Sequence, residues 1–355
     1  MKKEPETKVV DKVDDSEEII QFKYSITAYG ADYPVDSLVK RIRDESIFIP
    51  DFQRQYIWDI KRASRFVESL LLGLPVPGIF LSREEGTNKL LVIDGHQRLI
   101  TLYYFYNGIF KDGKEFNLKL VQSQYQGATY KSISEEDRRR LDDSILHATI
   151  VRQDEPTDDY SSIYHIFDRL NTGGVNLTPQ ELRACLYHGE FNDLLKRLNE
   201  NEHWRRLFGP VSSRLRDQEL ILRFLALYFN GVKYSNPMAG FLNDYMGSNR
   251  HLNLQSEEQI TAVFNNTVET IYKYLGDKAF RLTRALVAAI LDSLMVGIAR
   301  RLEKGDIHNT EALQRSYKTL LSNKDFIAAT ETHTSKEDQV NMRINLATRA
   351  FANIR

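Results

Sequence analysis

Sixteen residues, Leu90 to Phe105 (LLVIDGHQRLITLYYF), constrain the fold more than any other stretch, because an apolar run stops at Asp94-Gly95 and resumes with a different period. Leu90, Leu91, Val92 and Ile93 suit a strand buried on both faces, whereas Leu99, Leu102, Tyr103 and Tyr106 recur at helical spacing. Gly95 permits the backbone shape that a tight strand-to-helix turn demands. The stretch therefore predicts strand, turn, helix, with Asp94-Gly95-His96-Gln97-Arg98 at the junction. Free backbone N–H groups and the positive end of the helix dipole make such a junction an anion site, phosphate above all. Arg98, a cation in a first helical turn, opposes that dipole and needs compensation. Two partners suit it: Asp94 one turn back, or a bound phosphate gripped by guanidinium and helix amides together.

The stretch sits within a segment where strand and helix signals alternate. Residues 1–24 are charged, lack the apolar core of a signal peptide and read as a disordered tail. Tyr24–Tyr29 reads as a short strand, Pro34–Ile42 as a helix with proline near its start, and Asp59–Gly73 as an amphipathic helix with Ala63, Phe66, Val67, Leu70 and Leu71 on one face. Gly78–Ser82 and Lys89–Ile93 read as the strands of a hairpin. Weak strand signals follow in Phe110–Leu120 and Ala128–Ile133, then a helix capped by Ser134 and a strand at His147–Val151. Between the first two helices, Ile47–Trp58 interleaves aromatic and polar residues without a period. Phe52, Tyr56 and Trp58 either pack the helices onto the sheet or line a site; Gln53 and Arg54 add an amide and a guanidinium suited to a phosphate or a base.

From residue 157 the pattern turns almost wholly helical, at Asp159–Leu170, Phe191–Asn199, Asp217–Phe229, Glu257–Leu275, Leu282–Leu302, Thr310–Leu321 and Lys336–Ile354. Thr178, Pro179 and Glu181 spell a capped helix start, and the preceding Asn171-Thr172-Gly173-Gly174 is either a helix end with its turn or a loop that brings backbone to a ligand. Arg205, Arg206, Arg214, Arg216 and Arg223 form a solvated face or touch nucleic-acid phosphates. The result is an α+β chain: a small mixed-sheet N-terminal domain over 25–155, then a mainly α-helical domain over 156–355. Arg284, Asp292, Arg300 and Arg301 make Leu282–Leu302 a buried bundle helix and not a membrane span, which places the protein in the cytoplasm. A formal charge of -1 gives no overall attraction to nucleic acid. The single cysteine, Cys185, excludes an internal disulfide and reads as core. No His-Glu-x-x-His, Walker loop or Gly-x-Ser-x-Gly occurs, which excludes those zinc-enzyme, P-loop NTPase and serine-hydrolase readings.

Three ordered motifs carry a resemblance: Ile49-Pro50-Asp51-Phe52-Gln53-Arg54-x-Tyr56-x-Trp58, then Asp94-Gly95-His96-Gln97-Arg98, then Leu170-Asn171-Thr172-Gly173-Gly174-x-x-Leu177-Thr178. Together, over about residues 25–210, they resemble the N-terminal domain of GmrSD-type restriction endonucleases. The resemblance implies a ParB- and sulfiredoxin-like domain that binds nucleoside triphosphates and serves in defence against phage DNA, often modified DNA, with the later helices as the family's variable extension. It implies a nucleotide site of Asp94, Gly95, His96, Gln97 and Arg98, joined by Gln53, Arg54, Asn171 and Gly174. Asp94, Gln97 and Arg98 become the catalytic set, with Asp94 positioning a magnesium ion or the attacking water. His96 stands where the family's usual Asp-Gly-Gln-Gln-Arg has its first glutamine. Relatives often carry an HNH-type nuclease domain downstream; His308 and His333 lack its motif, so the resemblance implies a separate HNH-type nuclease subunit as partner, beside DNA. The leading expectation is an NTP-hydrolysing module that senses DNA and licenses that nuclease. A nucleotide-switched, non-hydrolysing DNA- or protein-binding protein and a metal-dependent nuclease using Asp94 are the alternatives. The sequence assigns no DNA-binding residue and leaves the nucleotide base and a homo-oligomeric state open.

Overall fold

The division between alternating and helical patterns carries through to three dimensions. The computed structural model describes residues 6–11, 25–49, 56–84, 87–155, 166, 178–281 and 284–354. Contacts divide the chain into two units, Phe22–Asn176 and Met1–Gln21 together with Leu177–Arg355. The expected boundary near residue 155 thus falls inside the first unit. Part of the expected disordered tail is structured instead: residues 6–11 carry a two-residue strand, β1 (Val9–Val10), that belongs to the second unit.

The first unit runs β2 (Ser25–Pro34), α1 (Val35–Arg43), β3 (Ile47–Phe48), α2 (Ile60–Leu71), β4 (Ile79–Arg83), β5 (Leu90–Asp94), α3 (His96–Asn107), α4 (Glu135–Asp142) and β6 (Ile145–Glu155). Its strands form a five-stranded mixed sheet in the order β2-β6-β4-β5-β3. β2 pairs antiparallel with β6, β6 parallel with β4, β4 antiparallel with β5, and β5 parallel with β3. These directions bring the C-terminal ends of β2, β3 and β5 and the N-terminal ends of β4 and β6 to one rim. Alternate residues Leu81, Leu90, Val92, Leu146, Ala148 and Ile150 share a core with Leu38, Val39, Val67, Leu70, Leu99, Leu102 and Phe105 of the helices.

Local chemistry fixes the helix starts. Asp59 accepts from the Arg62 N–H (2.8 Å) to cap α2, and Ser134 accepts from the Asp137 N–H (3.0 Å) to cap α4, whose first turn is acidic. The strands expected in Phe110–Leu120 and Ala128–Ile133 do not form; among these turns there is an isolated bridge, Ile109 to Glu115. Phe110, Phe116, Leu118 and Ile133 are nevertheless buried. Their apolar signal reflects irregular chain pinned to the core, which sequence periodicity does not separate from a strand.

The second unit continues through α5 (Pro179–Leu186), α6 (Glu190–Asn199), α7 (Glu202–Phe208), α8 (Arg216–Asn230), α9 (Met238–Ser248), α10 (Glu257–Leu275), β7 (Leu286–Val287), α11 (Ala288–Leu302), α12 (Thr310–Leu321), α13 (Lys324–Glu331) and α14 (Glu337–Phe351). Thr178 and Glu181 form the expected reciprocal capping box of α5. The helix expected from Leu282 begins only at Ala288, because Leu286 and Val287 pair in parallel with Val9 and Val10. The short helices α7, α9 and α13 were absent from the sequence reading. Cys185 is buried as expected, and burial pushes its thiol up. Arg205, Arg214, Arg216 and Arg223 are not a solvated face; they pair with Asp217 (2.9 Å), Glu181 (3.0 Å), Glu219 (2.5 Å) and Asp292 (2.5 Å) respectively. Among the described residues no helix is long and apolar enough to cross a membrane.

Candidate functional site

The strand–turn–helix stands at the rim where β5 ends. Gly95 carries the turn with φ +96° and is the N-cap of α3, so no side chain caps the helix start. A Cβ here would lie 2.4 Å from Ile79 Cγ2, which adds a packing reason for glycine to the conformational one. Asp94, at the end of β5, is exposed.

Arg98 reaches back across the turn. One terminal nitrogen, Nη2, donates to Asp94 Oδ2 (3.0 Å) and to the Gly78 carbonyl (2.9 Å). The acid–arginine pair weighed in the sequence is therefore present. With 52% of the Asp94 side chain exposed, such a pair contributes only roughly 0.2–1 kcal/mol, no more than offsetting the unfavourable dipole position of the cation. Arg98 is itself only 15% exposed, and its Nε is buried without a hydrogen-bond partner. Stability alone does not account for a guanidinium held this way. Gly78, read in the sequence only as a strand start, proves part of the site: its carbonyl orients Arg98, and a Cβ on it would lie 2.7 Å from the His147 carbonyl oxygen.

Gln97 is buried beside the segment that precedes α2. Its Oε1 accepts from the backbone N–H groups of Ile57 (3.0 Å) and Trp58 (3.2 Å). Lys111 completes the clamp by donating to the carbonyls of Tyr56 (3.3 Å) and Trp58 (2.8 Å), while the Tyr56 hydroxyl meets Thr101 Oγ1 at 2.7 Å. Tyr56 and Trp58 follow the packing alternative, Trp58 lying edge-on to Phe66 with ring centres 5.8 Å apart. Residues 50–55 lie outside the described residues, and with them Gln53, Arg54 and Phe52. Their flanks are fixed at this rim, since β3 leaves the sheet in the same direction as β5 and Ile57 is bonded to Gln97. Asn171 and Gly174 also lie outside the described residues.

The remaining motif residue, His96, receives a hydrogen bond at Nε2 from the Gln97 amide (2.8 Å). Because Gln97 Oε1 is taken by backbone donors, its NH2 group faces His96 and can only donate. His96 Nε2 therefore carries no proton, and the neutral ring keeps its proton on Nδ1. Burial lowers the His96 pKa, Asp94 opposes that shift and Arg98 adds to it, all consistent with a neutral ring at pH 7. Further along the rim, His147 Nδ1 lies 2.5 Å from Asp32 Oδ1, an exposed cross-strand pair that the sequence did not single out.

The donor set admits a magnesium ion in one form only. Asp94 offers one carboxylate with one oxygen engaged by Arg98, the single-carboxylate arrangement that leaves most coordination to water and phosphate. Among the described residues no three His, Cys, Asp or Glu side chains gather as a metal site.

Residues 35–188, which span the first unit from α1 onward and reach through α5, match the family described as GmrSD restriction endonuclease, N-terminal domain. No curated protein matches the chain.

Proposed function

We propose a nucleotide-dependent role in defence, as a component of a restriction or anti-phage system, from the match of residues 35–188 to the GmrSD restriction endonuclease N-terminal domain family. In this reading the rim around Asp94–Arg98 binds the phosphates of a nucleoside triphosphate. The observation that carries it is Arg98, oriented by Asp94 and the Gly78 carbonyl beside a helix start that no side chain caps, with Nε unused. Guanidinium and helix amides together suit a polyphosphate. Gln53 and Arg54, adjacent in sequence to the clamped residues 56–58, and Asn171 and Gly174 are assigned to the same site through the family motifs. Asp94 would hold a magnesium ion, whose charge would offset that of the bound triphosphate.

Hydrolysis is the leading activity, with Asp94 orienting the attacking water and Arg98 meeting the charge that develops on the transferred phosphoryl group. One observation favours the binding-only alternative. Gln97 spends its carbonyl oxygen on two backbone amides and donates to His96, so it acts as a positioning residue and not as the group that turns a water. In either case nucleotide state would govern contact with DNA and with a separate HNH-type nuclease.

Phosphate release and nucleotide affinity for wild type, Asp94→Ala and Arg98→Ala decide between these. Turnover in wild type that falls at least tenfold in both variants supports hydrolysis. Tight binding without turnover, lost in Arg98→Ala, selects the switch. Equal affinity and equal phosphate release in all three proteins would remove the site assignment.

A further inference from the structure

Residues 6–11 make a series of polar contacts with the rest of the second unit. β1 pairs with β7 over two residue positions, with Leu286 N donating to the Lys8 carbonyl (3.0 Å). Thr7 Oγ1 donates to the Phe208 carbonyl (3.0 Å), and Glu6 accepts from both the amide and the hydroxyl of Ser213. At the far end Asp11 Oδ2 accepts from Arg223 (2.6 Å) and from Arg216.

Among the described residues the charges beneath the segment do not balance. Arg223 and Arg343 share Asp292 (2.5 and 3.2 Å), Arg216 holds Glu219 (2.5 Å), and Arg183 stands 3.8 Å from Glu219. Among the described residues four guanidinium groups thus face three carboxylates with Asp11 seated, and two without it. Arg223 is 1% exposed, so this excess lies where an uncompensated charge is most costly. Nε of Arg223 and of Arg343 is buried without a hydrogen-bond partner. Oδ1 of Asp11 and of Asp292 is buried without a partner too, so what distinguishes the cluster is its excess of positive charge among the described residues and an imperfect match between its donors and these two carboxylates.

We propose that residues 6–11 are a releasable strap, and that Arg216 and Arg223 beneath it form a receptor for nucleic-acid phosphate when the strap leaves. The choice of ligand rests on the DNA contact proposed above. A phosphodiester offers the same charge as Asp11 with a different spread of acceptor oxygens, and arginine is suited to it. The strap is then an internal competitor: it neutralises the receptor in the resting chain, and DNA must displace it.

The full chain serves for the test. Hydrogen exchange at the Leu286 amide reports strap docking without any ligand, and anisotropy of a labelled DNA duplex at fixed salt reports binding. We expect Asp11→Asn to speed Leu286 exchange at least tenfold and to tighten duplex binding several-fold, and Arg216→Ala added to it to abolish the gain. A second route leaves the charges intact: Val10→Cys with Val287→Cys, at directly paired positions, should lock the strap when oxidised and weaken duplex binding relative to the same protein reduced. Should Asp11→Asn fail to fold, the locked pair decides alone. Unchanged exchange in Asp11→Asn, or equal duplex affinity of the oxidised and reduced pair, overturns the proposal. Faster exchange with no duplex binding by any form overturns the ligand and, with it, the DNA contact. Nucleotide affinity at Arg98, measured on the same proteins, stands or falls separately.

Discussion

Gly95 shows how a single residue can be demanded twice. Its φ of +96° disfavours any other L-residue, and Ile79 fills the space a Cβ would need. Gly95→Ala should cost about 2–4 kcal/mol, the sum of left-handed strain and a core overlap, read from the denaturant midpoint; Ile79→Ala in the same chain should return part of it. The sequence reveals the first demand, because a glycine between strand and helix signals a turn, but not the second, because Ile79 belongs to a different strand. His96 yields a pH prediction. Its pKa is lowered on folding from the ordinary value of 6.5, so the unfolded chain binds the proton more readily. The contribution is complete above 6.5 and is lost as pH falls below it. Stability of wild type should therefore drop more steeply between pH 7 and 5 than that of His96→Gln, which has no ring to protonate; parallel profiles would contradict the neutral, hydrogen-bonded state. What the motif could not disclose is direction. Five polar residues at a junction look equivalent in sequence, yet Arg98 turns back to Gly78 while Gln97 turns inward to Ile57 and Trp58.

Between elements, residues 56–58 are held by the Gln97 amide of α3 and by Lys111 in the turn after it. Gln97→Leu preserves bulk and leaves the Ile57 and Trp58 N–H groups without that acceptor. The expected cost is about 2–3 kcal/mol, with faster hydrogen exchange at both amides while the α2 amides stay protected. Unchanged exchange at Ile57 and Trp58 would mean the clamp is carried by Lys111. Element boundaries were most legible where termini have their own chemistry: Asp59, Ser134 and the Thr178–Glu181 box each cap as their types suggest. They were least legible where apolar residues anchor turns, as in 110–133, and where a strand interrupts a helical pattern, as at Leu286–Val287. Two residues are too few to show a period, and their partner lies at the other end of the chain.

At the scale of the whole molecule, the arginines of the second unit show the same limit of sequence reading. They appear as a charged run, yet four of the five are paired internally. Asp292, fully buried between Arg223 and Arg343, is the member whose loss should matter most. Asp292→Ala should cost about 3–5 kcal/mol because it takes the carboxylate from buried Arg343 and leaves buried Arg223 with Asp11 alone, and the loss should appear as a lower unfolding temperature. The change from alternating to helical pattern does not disclose that the second unit gathers chain from both sides of the first in sequence. That arrangement has a consequence during synthesis. Val9 leaves the ribosome before its partner Leu286, which follows roughly 280 residues later, and at typical elongation rates of about 5–20 residues per second that is a wait of roughly 15–55 seconds. The α/β unit can complete its sheet in that interval, whereas β1 must stay unpaired until most of the helices exist. β1 is thus a closing signal: it can seat only after Leu286 and Val287 have been made.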